Sequence, residues 1–96
     1  MDFNNTIVVI RVEQGFIYFD CEHHAGDSEV CARISTLCNV LVCNCLRNNI
    51  DPVQYQPGRV RLEVNHPNAL QIEVFETVED AFRALAEEYP QNLRLV

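Results

Sequence analysis

Apolar and polar positions alternate over two short stretches near the start of the chain, Ile7 to Val12 and Phe16 to Cys21, with Gln14-Gly15 between them. Alternation interrupted by a tight-turn pair predicts a β-hairpin with one face turned to a core. The period then changes. Val30, Ile34, Leu37, Cys38, Leu41, Val42 and Cys45 gather on one side at ~100° per residue, so a half-buried helix is expected over residues 29–48. Arg33, Thr36, Asn39, Asn44 and Arg47 fill most of its other side, where Val40 and Cys43 are the apolar exceptions. The segment NNIDPVQYQPG, residues 48–58, carries two prolines and a glycine, which stops the helix and predicts a surface crossover. Residues 59–64 alternate with Val60, Leu62 and Val64 inward. The turn NHPN leads to a second alternating run over residues 70–75, which predicts a second hairpin. Thr77-Val78-Glu79-Asp80 resembles a capping box, and Val78, Phe82, Leu85 and Tyr89 mark one stripe of a second helix ending at Pro90. Leu93 and Leu95 suggest a last short strand.

The predicted order is β-β-α-β-β-α-β. Strands with one apolar face need both helices on that face, so the expected fold class is α+β, a two-layer sandwich of a mostly antiparallel sheet and two helices. Ninety-six residues suffice for one core and are too few for two, so the whole of 1–96 is expected to be a single domain.

Charge narrows the partners. Fourteen acidic residues stand against seven arginines and no lysine, a formal net charge of -7, which argues against nucleic acid, whose recognition is dominated by phosphate contacts. The first residues, MDFNNTIVVIRVEQ, lack a basic n-region, and Arg11 breaks their apolar run, so neither a signal peptide nor a membrane span is expected there and the expected compartment is the cytoplasm. Five cysteines make an odd number without the spacing of a secreted disulfide framework, which favours reduced thiols.

The candidate chemistry lies in HHAGDSEVCARIS, residues 23–35. His24 is expected to leave the second strand and Cys31 to enter the first turn of the first helix, with six residues between them. Taking Ser28 as the N-cap makes Cys31 the third helical residue. There the helix dipole and unpaired backbone N–H groups favour a thiolate, a neighbouring imidazole acts as base or ion-pair partner, and the helix-start amides offer a site for an oxyanion. Ser35, one turn on, reaches back toward the thiol or a substrate group, or else bonds to its own helix carbonyl. Asp27 either orients His24 or caps the helix.

These residues resemble a known family. His24-Ala25-Gly26, a short polar stretch and then Val30-Cys31-Ala32 with Ser35 are similar to the ribosomal-processing cysteine proteases called Prp, and the layout of strands and helices follows that family over nearly the whole chain. The resemblance implies a cysteine endopeptidase that removes an N-terminal extension from a large-subunit ribosomal protein or, for phage-borne relatives, processes a phage head protein. It assigns Cys31 as nucleophile, His24 as base, and Ala25 and Gly26 to the substrate loop. It also implies a homodimer whose partner in the reaction is a peptide segment of a protein, with no cofactor. The chain departs from the family's pattern in three places. His23 replaces a usual glycine, the stretch from histidine to cysteine is shorter, and Ser28 stands where the family has an aspartate, with Asp27 one place earlier.

Other readings of the same residues stay open. Free cysteine is a common core residue, and Cys31, Cys38 and Cys45 recur every seven residues near one helical edge. Cys38 and Cys45 are assigned to the core, and Cys21 to the inward face of the second strand. Cys43 and Cys45 lie ~200° apart on a helix and cannot share an ion, so no metal site is expected. His66 fits a turn, and His23 is either an exposed loop residue or a second base. The alternative function is a catalytically inactive, Prp-like module that binds a peptide or assembles with a second subunit.

Overall fold

The structure is a computed structural model that describes residues 5–22 and 26–96. Strands β1 (Thr6–Val12) and β2 (Phe16–Glu22) form the predicted hairpin, in a register that sets Val12 against Ile17 and Val8 against Cys21. The turn is closed by the Glu13 N–H donating to the Phe16 carbonyl at 2.9 Å. Helix α1 spans Ser28–Arg47, and then come β3 (Gln54–Gln56), β4 (Arg59–Asn65), helix α2 (Ala69–Glu88) and β5 (Leu93–Leu95). The sheet order is β3-β4-β2-β1-β5, antiparallel except for the β1–β5 pair. Helix α1 packs over β4, α2 packs over β1 and β5, and the two helices pack on each other. The fold is therefore the expected α+β two-layer arrangement.

Two places in that order are filled by segments other than those predicted. Residues 70–75, expected as a strand, are the first turns of α2, and the missing strand is β3, inside the segment expected as a crossover. The cause is a genuine ambiguity of period. Leu70, Ile72 and Val74 alternate, but Gln71, Phe75, Val78, Phe82 and Leu85 recur at helical spacing, and these five are the buried ones. The alternating set loses because Leu70 is 74% exposed. Helix α2 begins at a capping box: the Gln71 N–H donates to the Asn68 side chain at 2.8 Å, and the Gln71 side chain accepts from the Asn68 N–H at 3.2 Å. Thr77, read as a cap, lies inside the helix and donates its hydroxyl to the Glu73 carbonyl.

The core lies between the layers. Val8 and Ile10 of β1, Ile17, Phe19 and Cys21 of β2, and Val60, Leu62 and Val64 of β4 face Val30, Ile34, Cys38 and Leu41 of α1 and Phe75 and Phe82 of α2. The Phe19 and Phe82 rings pack with centroids 5.7 Å apart. The opposite face of the sheet mixes apolar Ile7, Val9 and Phe16 with charged residues, and there Arg59 forms hydrogen-bonded ion pairs with Asp20 at 2.8 Å and Glu22 at 2.9 Å. Val40 and Cys43, the apolar exceptions of α1, are both exposed.

Candidate active site

The chain leaves β2 at Glu22 and enters α1 at Ser28, so the connection carrying the histidines is short. His23, His24 and Ala25 lie outside the described residues. Gly26 has φ 72°, a left-handed conformation that glycine adopts without the steric cost of a Cβ, and so it turns the chain toward the helix.

The helix cap is Asp27, one residue earlier than the Ser28 expected. Its backbone is extended (φ -132°, ψ 124°), and its Oδ1 accepts from the N–H groups of Glu29 at 3.0 Å and Val30 at 3.1 Å. A carboxylate placed there satisfies two donors and meets the positive end of the helix dipole. Ser28 becomes the first helical residue and Cys31 the fourth, with its N–H donating to the Asp27 carbonyl at 2.9 Å. The amides of residues 29–31 are thus engaged from within the chain. The oxyanion site expected at the helix start is accordingly not free there, and of the two roles weighed for Asp27 the described residues display the cap. Replacing Asp27 with alanine is expected to lower stability by ~1 kcal/mol, the usual cost of losing an N-cap side chain, and urea denaturation of the two proteins checks it.

Cys31 is half-buried and packs at the margin of the core, so its thiol is neither sealed in nor free in solvent. Ser35 follows one turn later on the same edge, and its side chain lines an open groove between α1 and the β3–β4 hairpin. The helical back-bond weighed for Ser35 is made by its neighbour instead, since the Thr36 hydroxyl donates to the Ala32 carbonyl at 2.9 Å.

The other thiols differ from Cys31. Cys21, Cys38 and Cys45 are buried and Cys43 is exposed. A hydrogen bond with the Cys38 thiol, followed by burial, holds Cys21 far above the ordinary thiol range. Burial pushes Cys45 from 9.0 up to about 11. A raised folded-state pKa favours folding in the protonated form, so this contribution is present below about pH 9 and is lost as pH rises toward about 11. Stability is expected to fall over that interval, and Cys45→Ala should flatten the fall in urea midpoints measured across it.

Among the described residues no group of three or more His, Cys, Asp or Glu is placed to hold a metal ion. His66 occupies the turn predicted for it, with φ 54° and its N–H donating to the Gly15 carbonyl at 3.0 Å. The groove beyond Ser35 was missed from sequence because one of its walls is β3, the strand taken for a crossover.

No family model and no curated protein matches the sequence. Solved structures do resemble it. Prp from S. aureus, an essential ribosomal processing protease, matches with a TM-score of 0.73 in complex with a substrate peptide, at 21% identity over 95% of this chain and 97% of that one. The same protease with a covalently linked product peptide matches with a TM-score of 0.73, at 24% identity over 94% of this chain and 96% of that one. SMU.848 from Streptococcus mutans matches with a TM-score of 0.69, at 20% identity over 96% and 92% of the two chains. Along nearly its whole length, this chain has the fold of the Prp ribosomal processing protease.

Proposed function

We propose that the chain is a cysteine endopeptidase of the Prp family, acting in the cytoplasm on a peptide segment of a ribosomal large-subunit protein or a phage head protein. The observation that carries this reading is the coincidence of two independent features. The fold is that of Prp over nearly the full length of both chains. Val30-Cys31-Ala32 and Ser35 fall in the opening turns of α1 with the thiol half-buried, and in the sequence only six residues separate the His24 of H-A-G from Cys31.

In the proposed reaction His24 accepts the Cys31 proton, and the thiolate sulfur attacks the scissile carbonyl carbon. The C–N bond breaks with the proton returned to the leaving amine, and water then hydrolyses the thioester to regenerate the thiol. Because Asp27 occupies the amides of Glu29 and Val30, those donors reach the oxyanion of the intermediate only once the cap is displaced. That occupancy also favours a second reading, in which the chain holds a peptide without cleaving it.

The test is selective alkylation. Intact mass and peptide mapping after iodoacetamide treatment in mildly acidic buffer are expected to find label on Cys31 well before the other four thiols, and His24→Ala should slow it by about tenfold or more. Slow labelling that ignores His24 would leave the peptide-holding reading.

We also propose a homodimer. Support comes from exposed apolar side chains of the helix layer, where Val40 is 44% and Leu70 74% exposed. Light scattering is expected to give twice the monomer mass, and Val40→Glu with Leu70→Glu should give the monomer.

A further inference from the structure

We infer that the groove between α1 and the β3–β4 hairpin binds the substrate segment lying two to four residues from the scissile bond, and that Tyr55 and Asn39 determine which residues fit there. This rests on the proposed role of Cys31. The groove's α1 wall is the same helical edge that carries the thiol: Cys31, Ser35 and Asn39 succeed one another at intervals of four residues. At a rise of ~1.5 Å per residue, Ser35 is ~6 Å and Asn39 ~12 Å along the axis from Cys31, and an extended peptide covers those distances in about two and about four residues.

The groove has a volume of about 390 Å³, within the usual range for sites that hold small ligands or short peptide segments. Cys38 and Val60 form its floor, Tyr55 and Pro57 its outer wall, and Ser35 and Asn39 its polar rim. None of these carries a charge. The two arginines flanking Val60 are committed, Arg59 to Asp20 and Glu22 and Arg61 to Glu63, on the face of the sheet away from Val60, since strand neighbours point to opposite faces. A charged substrate side chain would therefore lose water and find no counter-ion, whereas an uncharged one covers the floor and leaves the rim for the peptide backbone.

The Tyr55 hydroxyl donates to the Asn39 Oδ1 at 2.9 Å across the groove. This bond spans from the edge strand to α1, fixes the position of the outer wall, and leaves the Asn39 NH₂ to donate to a peptide carbonyl. Tyr55 is 58% exposed, and a substrate lying in the groove would cover part of its ring.

The test is an NMR titration of the full chain carrying Cys31→Ala, with the neutral peptide Ac-Ser-Leu-Ser-Leu-Ser-NH₂ and its Glu and Lys counterparts in place of Leu. Saturable shifts are expected at the Asn39 side-chain amide and the Tyr55 backbone amide. Affinity should be about tenfold higher for the Leu peptide than for either charged one, and Tyr55→Ala should remove most of that preference. Asn39→Asp keeps an acceptor for the Tyr55 hydroxyl while adding a negative charge, and is expected to shift the preference toward the Lys peptide by about tenfold. Shifts absent from the groove, equal affinity for all three peptides, or a preference untouched by both variants would overturn the inference. Its failure is separable from that of the protease reading, which falls if Cys31 alkylation ignores His24; groove binding in that case would mark a peptide-holding module with no scissile bond, and would overturn the subsite assignment as well.

Discussion

Cys31→Ala is expected to abolish peptide hydrolysis, with turnover falling by about a thousandfold or more, because removal of a nucleophile removes the covalent path and not merely one contribution to it. The assay follows new N-termini by mass spectrometry in a mixture of uncharged peptides. Cys31→Ser should recover little, since an alcohol is a far weaker nucleophile than a thiol beside the same imidazole. Cys45→Ala makes the comparison decisive. Cys45 shares the helix and the seven-residue spacing but is fully buried and lies outside the groove, so its loss should cost stability while leaving the chemistry in place. Full activity in Cys31→Ala would refute the proposed mechanism outright. Loss of activity in both variants together with loss of the folded signal would point to packing, which is why each variant is first checked for its urea midpoint.

Phe75→Ala is expected to destabilise the fold by ~3–5 kcal/mol, the range for emptying an aromatic site in a core. Phe75 is fully buried, and it lies in the segment whose alternation suggests a strand. The paired variant Leu70→Ala should change stability by no more than ~0.5 kcal/mol, as for most exposed positions, because Leu70 is 74% exposed at the first turn of α2. A strand over residues 70–75 would put Leu70, Ile72 and Val74 inward and Phe75 on the other face, which reverses the order of the two effects. Urea denaturation of both variants therefore measures which period the segment obeys. Set against a total stability of ~5–15 kcal/mol for a domain of this kind, the Phe75 loss alone threatens folding near physiological temperature.

The proposed homodimer and the groove bear on each other. The outer helix face with Val40 and Leu70 and the groove with Tyr55 are separate surfaces, and Asn39 borders both, since it also lines the depression between α1 and α2 beside Val40 and Cys43. Substitution at Asn39 is for that reason read together with the oligomeric state, whereas Tyr55 reports on the groove alone.

The residues alone determined the hairpin of β1 and β2, the long helix after it, the inward set of β4 and the closing strand, because in each a single period runs long enough to leave one assignment. They also determined the candidate thiol and histidine, whose types and spacing are chemical facts of the chain. Tertiary structure decided what local pattern left balanced. Residues 70–75 satisfy both periods, and only the need of Phe75, Val78 and Phe82 to share one buried face with α1 and the sheet makes them helical. The three-residue strand β3 has no period of its own and exists because β4 offers it an edge to pair with. The cap moved from Ser28 to Asp27 because which side chain reaches the first amides depends on where the turn at Gly26 delivers the chain, a matter of backbone path that residue preference, nearly equal for serine and aspartate, does not settle. The groove beside Ser35 followed from the same cause: it is a space between elements distant in sequence, and no single stretch of residues encodes it.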